Sequence, residues 1–179
     1  MLKEIANRKS CRKFNDKHVD DEQVIQLLES AVRAPSGMNT QPWNFIIVRD
    51  EETKARIAKA NNNQEWMNKA SVFVACVADI RVRIKDGREL HLDENSDLPE
   101  LKLVLRDTAI ASGYLLLEAE HMGLAACWTS WFNQADMRPL LNVPSDKYVL
   151  SVIAIGYTDE RKDPTPRKPL ADKVRHEKW

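Results

Sequence analysis

Residues 71–78, SVFVACVA, form an almost unbroken apolar run. A strand with one wet face alternates apolar and polar side chains, whereas a run that is apolar at every position needs cover on both faces. The segment is therefore expected to be a central, buried strand. A chain built around such a strand must supply a layer above it and a layer below it.

The rest of the sequence offers those layers. Asp20 reads as a helix N-cap, with Gln23 three residues on to complete a capping box. Val24, Leu27, Leu28 and Ala31 then recur at helical spacing, and Pro35 stops the run. Residues 44–48 are a short β-rich strand, and residues 51–60 a second, more exposed helix. Residues 101–122 are apolar on most sides and predict a central buried helix that Gly123 ends. Residues 124–128 lead into a loop, 136–141 form a short helix, and 148–155 a further strand. Residues 80–100 are polar and charged and read as an excursion or lid rather than core. Pro164, Pro166 and Pro169 keep residues 159–179 from forming one regular element. Strands and helices interleave without repeat or linker, so one mixed, three-layer domain over residues 1–179 is expected.

Composition excludes several functions. Lys plus Arg and Asp plus Glu number 27 each, so there is no net basic field of the kind general nucleic-acid binding needs. A bound phosphate must be held by a local cluster instead. No segment reaches the roughly 18 apolar residues of a membrane span, and the first residues carry no apolar stretch of signal-peptide length. Cys11, Cys76 and Cys127 are odd in number and far apart, with no CxxC, which fits a reducing cytoplasm better than a disulfide framework or zinc site. Cys76 and Cys127 lie in apolar runs and read as small core residues. His18, His91, His121 and His176 lack ligand spacing and read as surface residues. There is no GxGxxG, GxxxxGK[ST], GxSxG or HExxH.

Four segments remain. Residues 8–14, RKSCRKF, put four cations and a hydroxyl within reach of a phosphate, though alone they would also pass for a solvated basic turn. Residues 34–43, APSGMNTQPW, join a helix stop to a strand through a loop able to present amides and carbonyls to a flat heterocycle, or simply to connect the two elements. Residues 123–132, GLAACWTSWF, combine small residues with aromatics that suit either a ring's walls or a core strand. Residues 166–170, PRKPL, hold two cations in an extended shape, or form a tail.

Taken in this order, RKSCRKF, APSGMNTQPWNF, GLAACW, and RKPL with the terminal EKW resemble the FMN-dependent nitroreductase family. The similarity extends over essentially the whole chain. It implies an α+β fold, a three-layer α/β/α sandwich, forming an obligate homodimer with two FMN sites at the subunit interface and NADH or NADPH as electron donor. By position, Arg8, Lys9, Ser10 and Arg12 match the residues that hold the phosphate, ribityl chain and pyrimidine edge. Pro35, Ser36, Gly37 and Asn39 match the loop that comes from the other subunit, and Gln64 an amide near the cofactor. Thr129 and Ser130 match the backbone beside the flavin N5, and Arg167 and Lys168 a C-terminal phosphate clamp. The sequence departs from the family at Ala125 and Ala126, where Gly and Ser are common, and at Trp131, where Gly is common.

On that resemblance the expected activity is ping-pong transfer of hydride from NAD(P)H through flavin N5 to a small oxidised acceptor such as a nitroaromatic or quinone. Arg12 is the catalytic candidate, stabilising charge on the N1–C2=O2 edge. Rival expectations are a reductive dehalogenase on the same scaffold and a flavin-binding module without turnover. Residues 80–100 are expected to govern acceptor choice.

Overall fold

The computed structural model describes residues 1–160 and 163–179. Four strands, β1 (Trp43–Val48), β2 (Val72–Asp79), β3 (Ala125–Thr129) and β4 (Lys147–Gly156), make one antiparallel sheet in the order β1-β2-β4-β3. The apolar run at 71–78 is β2, central as expected, and every residue of the strand but the last is buried. Its alternation sorts the layers. Val72, Val74 and Cys76, with Ile153 and Ile155 of β4, face Leu27 and Ala31 of α2 (Asp21–Ala31) and Leu115 and Ala119 of α4 (Pro99–His121). Phe73, Ala75 and Val77, with Val152 and Ala154, face Ile57 and Ala58 of α3 (Glu51–Ala60) and Met137 of α5 (Gln134–Leu141). The α/β/α sandwich is thus formed by the two faces of one strand pair. Each large apolar side chain enclosed this way contributes about 1.5–3 kcal/mol.

Local signals set most boundaries. Asp20 Oδ1 accepts from the Gln23 amide at 2.8 Å, and Gln23 Oε1 accepts from the Asp20 amide at 3.3 Å, closing the capping box. Asn133 caps α5 by accepting from the Asp136 amide at 2.7 Å, which starts that helix at Gln134 rather than 136. A short helix α1 (Lys3–Asn7), which buries none of its residues and so leaves no apolar stripe to read, lies against α4.

Two expectations are corrected. The helix α4 is not buried on most sides: Leu101, Val104, Thr108, Ala111, Leu115 and Ala119 form one buried stripe, while Ile110 and Tyr114 are exposed on the outer face. Residues 80–100 are not a polar excursion. Ile80, Ile84 and Leu92 are buried with Leu101 and Val104 in a third small core, against which Val82, Leu90 and Leu98 pack. Their spacing among charges follows neither helical nor strand period, so periodicity does not reveal them.

Candidate flavin-phosphate cleft

The strand β3 is an edge of the sheet. Its free rim is covered by the first basic segment: Cys11 N donates to Ala126 O at 3.0 Å, and Ser10 bridges Ala126 in parallel. Gly156, on the neighbouring strand, is needed at this corner, because a Cβ there would lie 2.8 Å from the Phe14 ring. Ser10 and Cys11 are held in place by backbone pairing to Ala126, which anchors the segment that carries Arg8, Lys9 and Arg12.

The C-terminal segment returns to the same place. Arg8, Lys9, Ser10, Arg12, Asp163, Thr165 and Arg167 line a single cavity of about 210 Å³. Four cations face one carboxylate there, and among the described residues none of the four is ion-paired; the local pair is Lys13 with Glu160, 3.3 Å apart. Concentrated positive charge offset by a single carboxylate, next to a hydroxyl donor, fits a phosphate monoester. The volume fits a phosphate and part of a chain, but not a tricyclic ring, since pockets for such ligands run to about 300–1,000 Å³. Lys168 does not line the cavity.

Beside it, the Arg12 guanidinium lies 5.7 Å from the Trp66 ring centroid, and Trp66 stacks on Phe14 at 6.2 Å. Gln64 is half-buried and committed internally: Oε1 accepts from Trp66 Nε1 and Nε2 donates to Asn61 Oδ1, both at 3.1 Å. Thr129 is buried, its hydroxyl donating to Val152 O at 2.7 Å. Ser130 is exposed, and Trp131, at 70% exposure, stands out from the end of β3. Burial pushes the Cys127 thiol up against the opposing pull of Arg12, and pushes Cys76 up to about 11, so both behave as core residues rather than nucleophiles. All four histidines are exposed.

The loop carrying Pro35, Ser36, Gly37 and Asn39 does not line the basic cavity. It is a strained, well-braced feature. Met38, Asn39 and Gln41 have φ of 56°, 54° and 47°, and Met38 is 92% exposed at the tip. Ser36 Oγ accepts from the Gln41 amide at 3.0 Å. Gly37 donates to Asp107 Oδ2 at 3.1 Å and accepts from Arg83 Nη2 at 3.1 Å. These contacts hold the loop in its left-handed backbone conformation.

Sequence reasoning missed Asn61, Trp66, Arg83 and Asp107. Each supports a predicted residue rather than matching a motif, and only their packing partners reveal them.

A model of the nitroreductase family matches residues 5–157. A protein of Archaeoglobus fulgidus named putative NADH dehydrogenase/NAD(P)H nitroreductase is 29% identical, over 99% of this chain and 98% of its own. An iodotyrosine deiodinase of Thermotoga neapolitana is 31% identical over 95% of each chain. Among solved structures, an FMN-dependent nitroreductase of Clostridium difficile R20291 superposes with a TM-score of 0.81 at 25% identity, covering 100% of both chains.

Proposed function

The chain belongs to the nitroreductase family, and from that premise we propose that it is an FMN-dependent oxidoreductase that passes electrons from NAD(P)H to a small oxidised acceptor. The observation that carries the reading is the convergence of Arg8 and Arg12, near one end of the chain, with Arg167, near the other, on one cavity sized for a phosphate.

FMN, when bound, supplies two-electron exchange at N5 between nicotinamide and acceptor. The chain's own residues bind and orient. Arg8, Lys9 and Arg167 grip the phosphate, with Ser10 as a hydroxyl donor. Arg12, steadied over Trp66, is placed to meet developing negative charge on the ring's pyrimidine edge. Residues 129–131 would border a bound ring, and the exposed Trp131 would narrow the space left to an acceptor. Nothing in this scheme needs an acid–base side chain, consistent with the absence of a histidine constellation among the described residues.

A homodimer is part of the same reading. The basic cavity is too small for the ring, so the reading needs a second wall, and the braced loop at 35–39 does not line the cavity of its own chain. Leu2, Ile5, Ile25, Val32, Ile110 and Tyr114 expose apolar side chains on or beside α1, α2 and α4, a large amount for a free monomer surface. The partner would bring its own 35–39 loop over the ring.

A second reading, reductive dehalogenation of a halogenated phenol, is favoured by the 31% identity to the deiodinase over nearly the full length of both chains. Absorption of the purified protein, followed by anaerobic titration with NADH and with NADPH, tests the first reading. A yellow protein bleached by one donor and reoxidised by a nitroaromatic or quinone supports it; halide release from a halogenated tyrosine supports the second. A colourless protein that takes up no FMN overturns both.

A further inference from the structure

Asn61 is fully buried at the end of α3, and its helix-ending backbone bond to Ile57 O needs no side chain. Its side chain nevertheless has a full set of partners. Nδ2 donates to Thr129 Oγ1 at 2.6 Å, and Oδ1 accepts from the Trp131 amide at 3.0 Å and from Gln64 Nε2 at 3.1 Å. Because the single hydroxyl proton of Thr129 goes to Val152 O, that oxygen accepts from Asn61, and the amide's orientation is fixed. Gln64 in turn receives the Trp66 indole N–H, and Arg12 lies against the Trp66 ring. One buried amide therefore ties residues 129–131 on one side to Arg12 on the other, through neighbours that are themselves bonded onward, Thr129 to Val152 and Gln64 to Trp66.

We propose that Asn61 is a positioning residue that fixes the spacing between the 129–131 segment and the Arg12 side chain, and so the alignment of the ring held between them. The proposal rests on the FMN reading above. Apart from a 3.7 Å approach to Met67 Sδ, the side-chain oxygen and nitrogen of Asn61 reach only Gln64, Thr129 and Trp131, the residues that lead to the two sides of the site. Rigid placement of a reacting partner is the kind of effect that small displacements spoil.

The test compares Asn61→Ala, Thr129→Val and Thr129→Ser. In FMN-free protein, amide exchange at Trp131 is expected to accelerate about tenfold or more in the first two while Val74 in β2 keeps its protection. Loaded with FMN, those two variants are expected to show altered visible circular dichroism of the bound flavin and a kcat lowered about tenfold, with KM for the nicotinamide within about threefold. Thr129→Ser keeps the acceptor for Asn61 and should lose far less than Thr129→Val. A lowered melting temperature with exchange at Trp131, dichroism and kcat all as in wild type would mean Asn61 is architectural, and would overturn the proposal alone. Should Asn61→Ala fail to fold, Thr129→Val decides between the same two outcomes by the same three measurements. A wild-type protein that binds no FMN overturns the functional reading and this proposal together.

Discussion

Arg83 and Asp107, 3.6 Å apart, hold the two sides of the Gly37 peptide: the carboxylate takes its N–H and the guanidinium covers its carbonyl. A Cβ at Gly37 would lie 2.6 Å from Arg83 Nη2, so any larger residue would displace that end of the guanidinium. Hydrogen bonds to charged groups are worth about 1.5–3 kcal/mol each. Asp107→Ala is therefore expected to free the 35–39 loop and weaken FMN binding by about tenfold or more. The helices should stay intact, as judged by flavin fluorescence titration beside far-ultraviolet circular dichroism. Unchanged affinity would detach this loop from the cofactor.

Arg167 and Lys168 are neighbours in sequence, but only Arg167 lines the basic cavity. Removing one charge-assisted contact to a phosphate should weaken FMN binding by about 1.5–3 kcal/mol, roughly ten- to a hundredfold. Arg167→Ala is expected to show that loss and Lys168→Ala to stay within about threefold, since an exposed charge outside the cavity acts only through a screened field. Equal losses would return Lys168 to the clamp.

Arg12→Ala is expected to lower the reduction potential of bound FMN, because a positive charge beside the pyrimidine edge favours the electron-rich form. A few kcal/mol of such stabilisation corresponds to tens of millivolts, with about 30 mV per 1.4 kcal/mol for two electrons. Spectroelectrochemistry reads the shift directly, and a potential equal to wild type would remove Arg12 from that role.

Glu4 and His121 join α1 to α4 at 2.9 Å. The contact with His121 holds the Glu4 carboxyl below its ordinary 4.5, and the contact with Glu4 raises the His121 imidazole above its ordinary 6.5. The His121 contribution is complete below 6.5 and is lost as pH rises through the raised value. The Glu4 contribution is complete above 4.5 and is lost as pH falls through the lowered one. The helix α1 should thus be held best between those two values. Imidazole titration by NMR should show His121 of Glu4→Gln returning toward the ordinary value; an unmoved titration would mean the pair does not form in solution.

The fold is legible in the sequence where one physical signal dominates. The apolar run in β2 reads as a doubly covered strand, and Asp20 with Gln23 reads as a helix cap, and both are found. The basic cluster is visible at both ends of the chain, as Arg8 to Lys13 and as Arg167, but its convergence depends on Ser10 pairing with the open rim of β3, a contact between segments far apart in the chain. Thr129 stands out for its place and proves to have its hydroxyl turned inward to Val152. Asn61 stands among three consecutive asparagines with nothing local to distinguish it, since what matters about it is which segments surround its amide.

Residues 80–100 give the sharpest test of that difference between pattern and packing. Their charges suggest a mobile lid, whereas Leu92 is buried and its amide donates to Ser145 O at 2.8 Å, stitching the segment to the loop before β4. Truncating an enclosed leucine removes its transfer energy and leaves a cavity, together about 2–5 kcal/mol. Leu92→Ala is expected to lower unfolding stability by that amount in urea, with the slope unchanged if the whole domain still unfolds as one unit. A lid would instead tolerate the change within about 0.5 kcal/mol, as exposed positions do. The same outcome bears on acceptor choice. A segment anchored by its own core can present Arg83 to the 35–39 loop at a fixed distance, so exchanging its exposed residues should alter the acceptor profile without loss of folding, while exchanging Leu92 should alter both.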